Sequence, residues 1–175
     1  MVLKNMHRRW WLLLSCLIGM GGCVSRQPND PTGLKRFAEV SPDLYRSAQP
    51  TREGFVTAKT MGIKTVVSLR RTRNDRKLAQ SMGLQYVGIP TSAIRSYDRT
   101  CRDFLRVMEN PANFPVLVYC LLGSDRTSLV VAAYRIAMQG WPREQAIAEM
   151  KEYGGNPIFW GMPRYLRRFE PDERR

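Results

Sequence analysis

Cys120 and Arg126 are separated by five residues in the stretch Val116-Leu117-Val118-Tyr119-Cys120-Leu121-Leu122-Gly123-Ser124-Asp125-Arg126-Thr127. An apolar run stops at the cysteine, and a long apolar-periodic segment from Thr127 to Met138 follows the arginine. That order suits attack on phosphorus. A phosphate monoester dianion repels ordinary nucleophiles, so its oxygens must be neutralised, a nucleophile must be ionised near neutral pH, and the leaving oxygen must be protonated. Cys120 supplies a nucleophile that converging N–H groups and a neighbouring cation can activate. The planar fork of Arg126 matches two phosphate oxygens at once, which a lysine cannot do. The backbone of Leu121, Leu122, Gly123, Ser124, Asp125 and Arg126 can wrap the anion, with Gly123 placed where the chain must bend. Thr127 can donate its hydroxyl to the thiolate when a phosphocysteine is hydrolysed.

These residues need a strand, a tight loop and a helix N-terminus in that order, since such a loop aims backbone donors at one spot. A Cys-x5-Arg spacing alone is weak in a chain with 28 basic residues. The weight lies in the joint occurrence of the strand, the glycine, the arginine and the helix. In the competing reading, Cys120 is a buried apolar residue and Arg126 a solvated helix start. Histidine narrows the chemistry further, because the only one is His7, inside an apparent leader. Ser-His-Asp and Cys-His hydrolysis and His-based zinc sites are thereby excluded from the domain.

The rest of the chain supplies a scaffold. Phe37 to Val40 and Leu44 to Arg46 read as short strands around a turn. Thr51 caps a helix that runs to Met61, and Gly62 ends it. Ile63 to Leu69 is a β-branched strand, Asp75 to Met82 a short helix closed by Gly83, and Leu84 to Ile89 the next strand. Asp98 or Thr100 caps a helix carrying Phe104, Leu105 and Met108, and Pro142 suits the first turn of another, with Ala146, Ile147 and Met150 on its face. Ile158, Phe159, Trp160, Tyr165, Leu166 and Phe169 close the chain as packing residues. The recurrence of helix, glycine and strand predicts one α/β domain: a mostly parallel sheet of four to five strands with helices on both faces. At 175 residues and 43% hydrophobic, the chain has material for one core.

The loop Cys120 to Thr127 resembles the signature loop of the protein tyrosine phosphatase superfamily, in its compact dual-specificity-like bacterial branch. Tyr45-Arg46-Ser47-Ala48-Gln49-Pro50, Gly62 to Arg70 and Ile89-Pro90 look like that branch's upstream strands, and Tyr134-Arg135 and Gly140-Trp141 like its continuation. Two residues depart from the pattern: Tyr119 stands where histidine is usual, and Ser128 where glycine is common. The resemblance implies cofactor-free, metal-free hydrolysis through a phosphocysteine, with an upstream aspartate as general acid. Asp98, 22 residues before Cys120, is the best placed, and Asp103 is next. Asp125 is the competitor, because some relatives use an aspartate just before the loop arginine. Asp98 can equally be a helix cap, and Asp125 a brace for the loop. A non-catalytic phosphate-binding module is the rival from another class.

Lys4, Arg8 and Arg9 precede the apolar run Trp10 to Met20, and Gly21-Gly22-Cys23 follows. This is a signal-peptide layout, too short to span a membrane at roughly 20 apolar residues. Residues 1–22 are read as a leader, Cys23 as an acylated lipoprotein cysteine, residues 23–33 as a tether and 34–175 as the domain; Leu13-Leu14-Ser15-Cys16 is a second match. The expected location is the cell envelope, facing the periplasm on a lipid anchor. Removing the leader takes the formal charge from +13 to +10. That field favours anionic partners. The expected partners are a phosphorylated substrate (protein, lipid or small molecule) and the membrane, with no nucleic acid and a monomeric state. Arg70, Arg71 and Arg73 form a basic cluster that either recruits substrate or is simply solvated. Cys101 is read as a helix residue that could pair with Cys120 in an oxidising compartment.

Overall fold

Two apolar faces of one sheet organise the chain. A computed structural model describes residues 32–72, 75–91, 97–154 and 161–171. The leader, Cys16, Cys23, Arg73 and the aromatic segment Ile158 to Trp160 lie outside the described residues. Among the described residues five strands form a sheet: β1 (Ala38–Ser41), β2 (Leu44–Ala48), β3 (Thr65–Ser68), β4 (Gln85–Gly88) and β5 (Val116–Cys120). Their order is β1-β2-β5-β3-β4, and only the β1–β2 pair is antiparallel. This is the expected single-domain α/β architecture.

Every residue of the central strand β5 is buried, as a parallel strand covered on both faces requires. Its side chains alternate between two cores. Val116, Val118 and Cys120 face α3 (Tyr97–Met108), α4 (Asp125–Gln139), α5 (Arg143–Glu152) and α6 (Gly161–Arg168). Leu117 and Tyr119 face α1 (Arg52–Thr60) and α2 (Arg76–Ser81). One residue of register therefore decides which core the nucleophile candidate joins.

Local signals set the element ends. The Thr51 hydroxyl accepts the Gly54 N–H at 3.2 Å and starts α1 where the sequence put it. Gly140, at φ +69°, ends α4 by returning its N–H to the Arg135 carbonyl. Two starts differ from expectation. α3 begins at Tyr97, so neither Asp98 nor Thr100 is its cap; Asp98 lies in the first turn, where a carboxylate complements the helix dipole. Pro142 is the cap of α5, in extended conformation, rather than its first helical residue. α6, whose sequence reads only as a string of packing residues, buries Met162 and Leu166.

α5 is seated on α4 by a bidentate pair. Arg135 reaches Glu149 through Nη2 at 2.7 Å and Nε at 3.1 Å, and gives Nη1 to the Val40 carbonyl at 3.0 Å. This fixes where the C-terminal end of α5, Tyr153, falls relative to β2.

Candidate active site

Cys120 is the last residue of β5, 2% exposed, and pairs in register with Ala48 at the end of β2. The carboxyl ends of β2, β3 and β5 lie side by side there, the edge at which open α/β sheets hold ligands. Residues Leu121 to Ser124 leave this edge and turn into α4. Gly123 has φ +67°, and a Cβ on it would sit 2.5 Å from the Ala48 nitrogen and 2.7 Å from the Ser47 carbonyl oxygen. Any side chain there would drive the loop off β2.

Three of the loop's carbonyls are bonded to groups outside it or in α4. Leu121 accepts from the Gln49 N–H at 3.4 Å, and Ser124 from the Ser128 N–H at 2.8 Å. Gly123 accepts from Arg46 Nη2 at 3.0 Å. Among the described residues no backbone carbonyl takes the N–H of Leu121, Leu122, Gly123 or Ser124. Donors without backbone partners beside the N-terminus of a 15-residue helix make an anion nest.

Side chains complete it. Arg126 Nη1 donates to the Leu69 carbonyl at 3.1 Å, which ties the guanidinium to the end of β3. The Thr127 hydroxyl is fully buried and has no hydrogen-bond partner, Cys120 included. The Ser124 hydroxyl donates to the Asp125 carboxylate at 3.0 Å. Leu121 and Leu122 are 49% and 63% exposed and form an apolar rim.

Tyr119 faces away from this pocket. Its hydroxyl donates to Asp75 Oδ2 at 2.6 Å, and Tyr86 donates to Oδ1 of the same buried carboxylate at 3.2 Å. Burial, followed by the bond to Asp75, pushes the Tyr119 hydroxyl far up, so it stays a neutral donor. Its ring meets Phe55 edge-on. The tyrosine in the usual histidine position thus props α2 from beneath the sheet.

The upstream acids both lie on α3 and are held in ion pairs. Asp98 is 57% exposed; it accepts from Arg102 Nε at 2.8 Å and from the Tyr165 hydroxyl at 3.2 Å. Asp103 is held by Arg106 at 2.7 Å and Arg99 at 3.6 Å. The structure gathers Cys120, the loop, Asp125, Arg126 and Thr127, while Asp98 lies on α3 and is bonded to Arg102 and Tyr165, whose ring packs on Tyr97 and Phe169. Arg70 is half-buried at the end of β3 and Arg71 is exposed. Cys101 is a free, buried thiol, pushed up to about 12 by burial, and Cys120 is likewise free. Among the described residues no cluster of His, Cys, Asp and Glu could hold a metal ion.

Arg46 is the residue that sequence reasoning missed. It lies on β2, 1% exposed, in contact with the loop. An arginine in a strand between an aromatic and a serine was the available signal.

Residues 33–174 match the model of the tyrosine phosphatase family. The chain is 36% identical over 158 residues to the dual specificity protein phosphatase TpbA of Pseudomonas aeruginosa strain PAO1, covering 82% of this chain and 72% of the relative. Against TpbA of strain UCBPP-PA14 it is 36% identical over 116 residues, covering 66% of this chain and 53% of the relative, so it spans about half the length of that protein. A crystal structure of a cysteine-to-serine P. aeruginosa TpbA in complex with pTyr superposes with a TM-score of 0.68 at 28% identity, covering 87% of this chain and 93% of that one.

Proposed function

The chain belongs to the tyrosine phosphatase family, and from that membership we propose that it is a cysteine-dependent phosphatase whose nucleophile is Cys120. The observation that carries this reading is the loop itself. Cys120 lies at the start of a loop whose Leu121, Gly123 and Ser124 carbonyls are already bonded, at a helix N-terminus, with Arg126 tethered at its side.

The Cys120 thiolate attacks phosphorus, a phosphorus–sulfur bond forms, and the ester phosphorus–oxygen bond breaks. The leaving oxygen takes a proton from the general acid. Water then attacks the phosphocysteine and gives a proton back to that group; the phosphorus–sulfur bond breaks and inorganic phosphate departs. Arg126 and the loop N–H groups hold the equatorial oxygens in both steps. The unpartnered Thr127 hydroxyl is available to the sulfur as it leaves. Asp98 is assigned as acid and base, with Asp125 as the alternative because it lies in the loop itself.

The substrate is a monoester whose phosphate is carried on an apolar or aromatic group, such as phosphotyrosine. Leu121 and Leu122 at the rim favour that over a polyanion, and pTyr is the ligand of the similar TpbA structure. Lipid, inositol and sugar phosphates are the alternatives of the same chemistry. With p-nitrophenyl phosphate, hydrolysis is expected to be blocked by vanadate and untouched by EDTA. Turnover that EDTA abolishes and vanadate spares would overturn the reading.

Export and lipid anchoring complete the proposal. The basic start, short apolar run and Gly21-Gly22-Cys23 support removal of residues 1–22 and acylation of Cys23. The formal charge of +10 that remains is suited to an anionic membrane surface. In a bacterial host with an outer membrane, the full chain is expected in the detergent-soluble envelope fraction. Cys23→Ser should appear as soluble periplasmic protein, and unchanged envelope retention of that variant would sink the anchor.

A further inference from the structure

We propose that Arg46 is the positioning residue of the phosphate loop: it pins the Gly123 carbonyl outward and so aims the Ser124 N–H into the cradle. The inference rests on the phosphatase reading and names a residue to which that reading gives no role.

The geometry starts from one nitrogen. Arg46 Nη2 donates to the Gly123 carbonyl at 3.0 Å and to Ser128 Oγ at 2.6 Å, joining β2, the loop and the first turn of α4. In a planar trans peptide, C=O and N–H point in opposite directions. Holding the Gly123 oxygen against Arg46 therefore fixes the Ser124 N–H the other way. The pin has work to do at this peptide in particular. Glycine lets the 123–124 plane rotate at little cost, and a rotated plane would present a carbonyl oxygen to a dianion while withdrawing a donor from it. Gln49 holds the Leu121 carbonyl and the helix holds that of Ser124, but both use backbone donors. Gly123 alone of these three depends on a side chain.

The burial of Arg46 fits this role better than a packing role. The side chain is enclosed, its guanidinium lies 3.6 Å from the centre of the Tyr153 ring, and Nε and Nη1 have no partner. Burying a charged fork with two unmet donors is costly, and an apolar residue of similar volume would often serve packing at least as well. Tyr153 forms the roof because the Arg135–Glu149 pair seats α5 on α4. Burial lowers the guanidinium to about 10, partly offset by Tyr153, Glu149 and Cys120, so it remains a cation at neutral pH and shares a field with the nucleophile.

The test uses inorganic phosphate as probe, titrated calorimetrically into Cys120→Ser protein, so that binding is read without turnover. Adding Arg46→Met is expected to weaken phosphate about 10- to 100-fold, the scale of a lost charge-assisted hydrogen bond that also frees a carbonyl to face the anion. Arg46→Lys is expected to recover about tenfold of that loss, because one nitrogen carries both bonds. Ser128→Ala, which removes only the second acceptor, should cost about threefold. Melting temperatures are read alongside. A merely structural arginine would lower Tm and leave the phosphate affinity of the folded protein at the parental value, and that result overturns the proposal. So does a folded Arg46→Lys that binds as weakly as Arg46→Met. If Arg46→Met does not fold, Ser128→Ala decides, with parental affinity counting against the pin. A Cys120→Ser chain with no affinity for phosphate removes both this inference and the phosphatase reading. Absence of hydrolysis by the Cys120 protein removes the phosphatase reading while leaving the binding result to stand.

Discussion

Cys120→Ser protein hydrolyses p-nitrophenyl phosphate at least about ten-thousand-fold more slowly than its parent while still binding phosphate; that is the largest loss expected of any single substitution in the chain. The exchange changes one atom and leaves the strand end, the loop hydrogen bonds and Arg126 in place. What it removes is an ionisable nucleophile. A free thiol ionises within a few units of neutrality, whereas a serine hydroxyl needs an adjacent base to become a nucleophile. No histidine supplies one among the described residues, since the one histidine of the chain is His7, and Tyr119 is turned toward Asp75. The serine ester of phosphate would also be a poorer leaving partner in the second step. Steady-state kinetics with both proteins, paired with phosphate titration, check this. Near-parental turnover by Cys120→Ser would assign the hydrolysis to other residues and end the phosphocysteine mechanism.

The sequence disclosed most clearly what short-range patterns determine. β5 is a five-residue apolar run bounded by Pro115 and a glycine-containing loop, and Gly123 marks the bend that a Cβ would prevent. Thr51 and Gly140 mark helix ends through bonds reaching three to five residues away. The parallel sheet followed from strands separated by helices, because such crossovers leave few other arrangements. What escaped was set by partners distant in the chain. Arg46 meets residues 77 and 82 positions later, and no local pattern says that a strand arginine will be buried. Tyr119 could be noted as a departure from a familiar pattern. That it serves Asp75 on the opposite face required the register of β5 and the start of α2 together. Asp98 stands out by its distance from the cysteine, but its bond from Tyr165 comes from α6, 67 residues later in the chain and read in the sequence only as packing residues.

Asp98→Asn is expected to lower kcat toward phenyl phosphate about 100- to 1,000-fold and toward p-nitrophenyl phosphate far less, because general acid catalysis matters most when the leaving oxygen is basic. The group has to hand its proton to the leaving oxygen as the ester bond breaks, and p-nitrophenolate needs that proton least. The structure places Asp98 in a pair with Arg102 and in a bond from Tyr165. To act, it has to exchange Arg102 for the leaving oxygen. An exposed pair four residues apart on a helix is worth only about 0.3–0.5 kcal/mol, so that exchange costs little beside the barrier it lowers. Asp125 is constrained differently. Its carboxylate takes the hydroxyl of Ser124, its own loop neighbour, and at that position it can brace the cradle without moving. Asp125→Asn should therefore weaken phosphate binding a few-fold and affect both leaving groups alike, as loss of a single loop hydrogen bond would. Leaving-group dependence separates the two roles where rates alone do not. If Asp125→Asn shows the steep leaving-group dependence while Asp98→Asn affects both esters alike, the proton belongs to Asp125 and the Asp98–Arg102 pair is a helix brace.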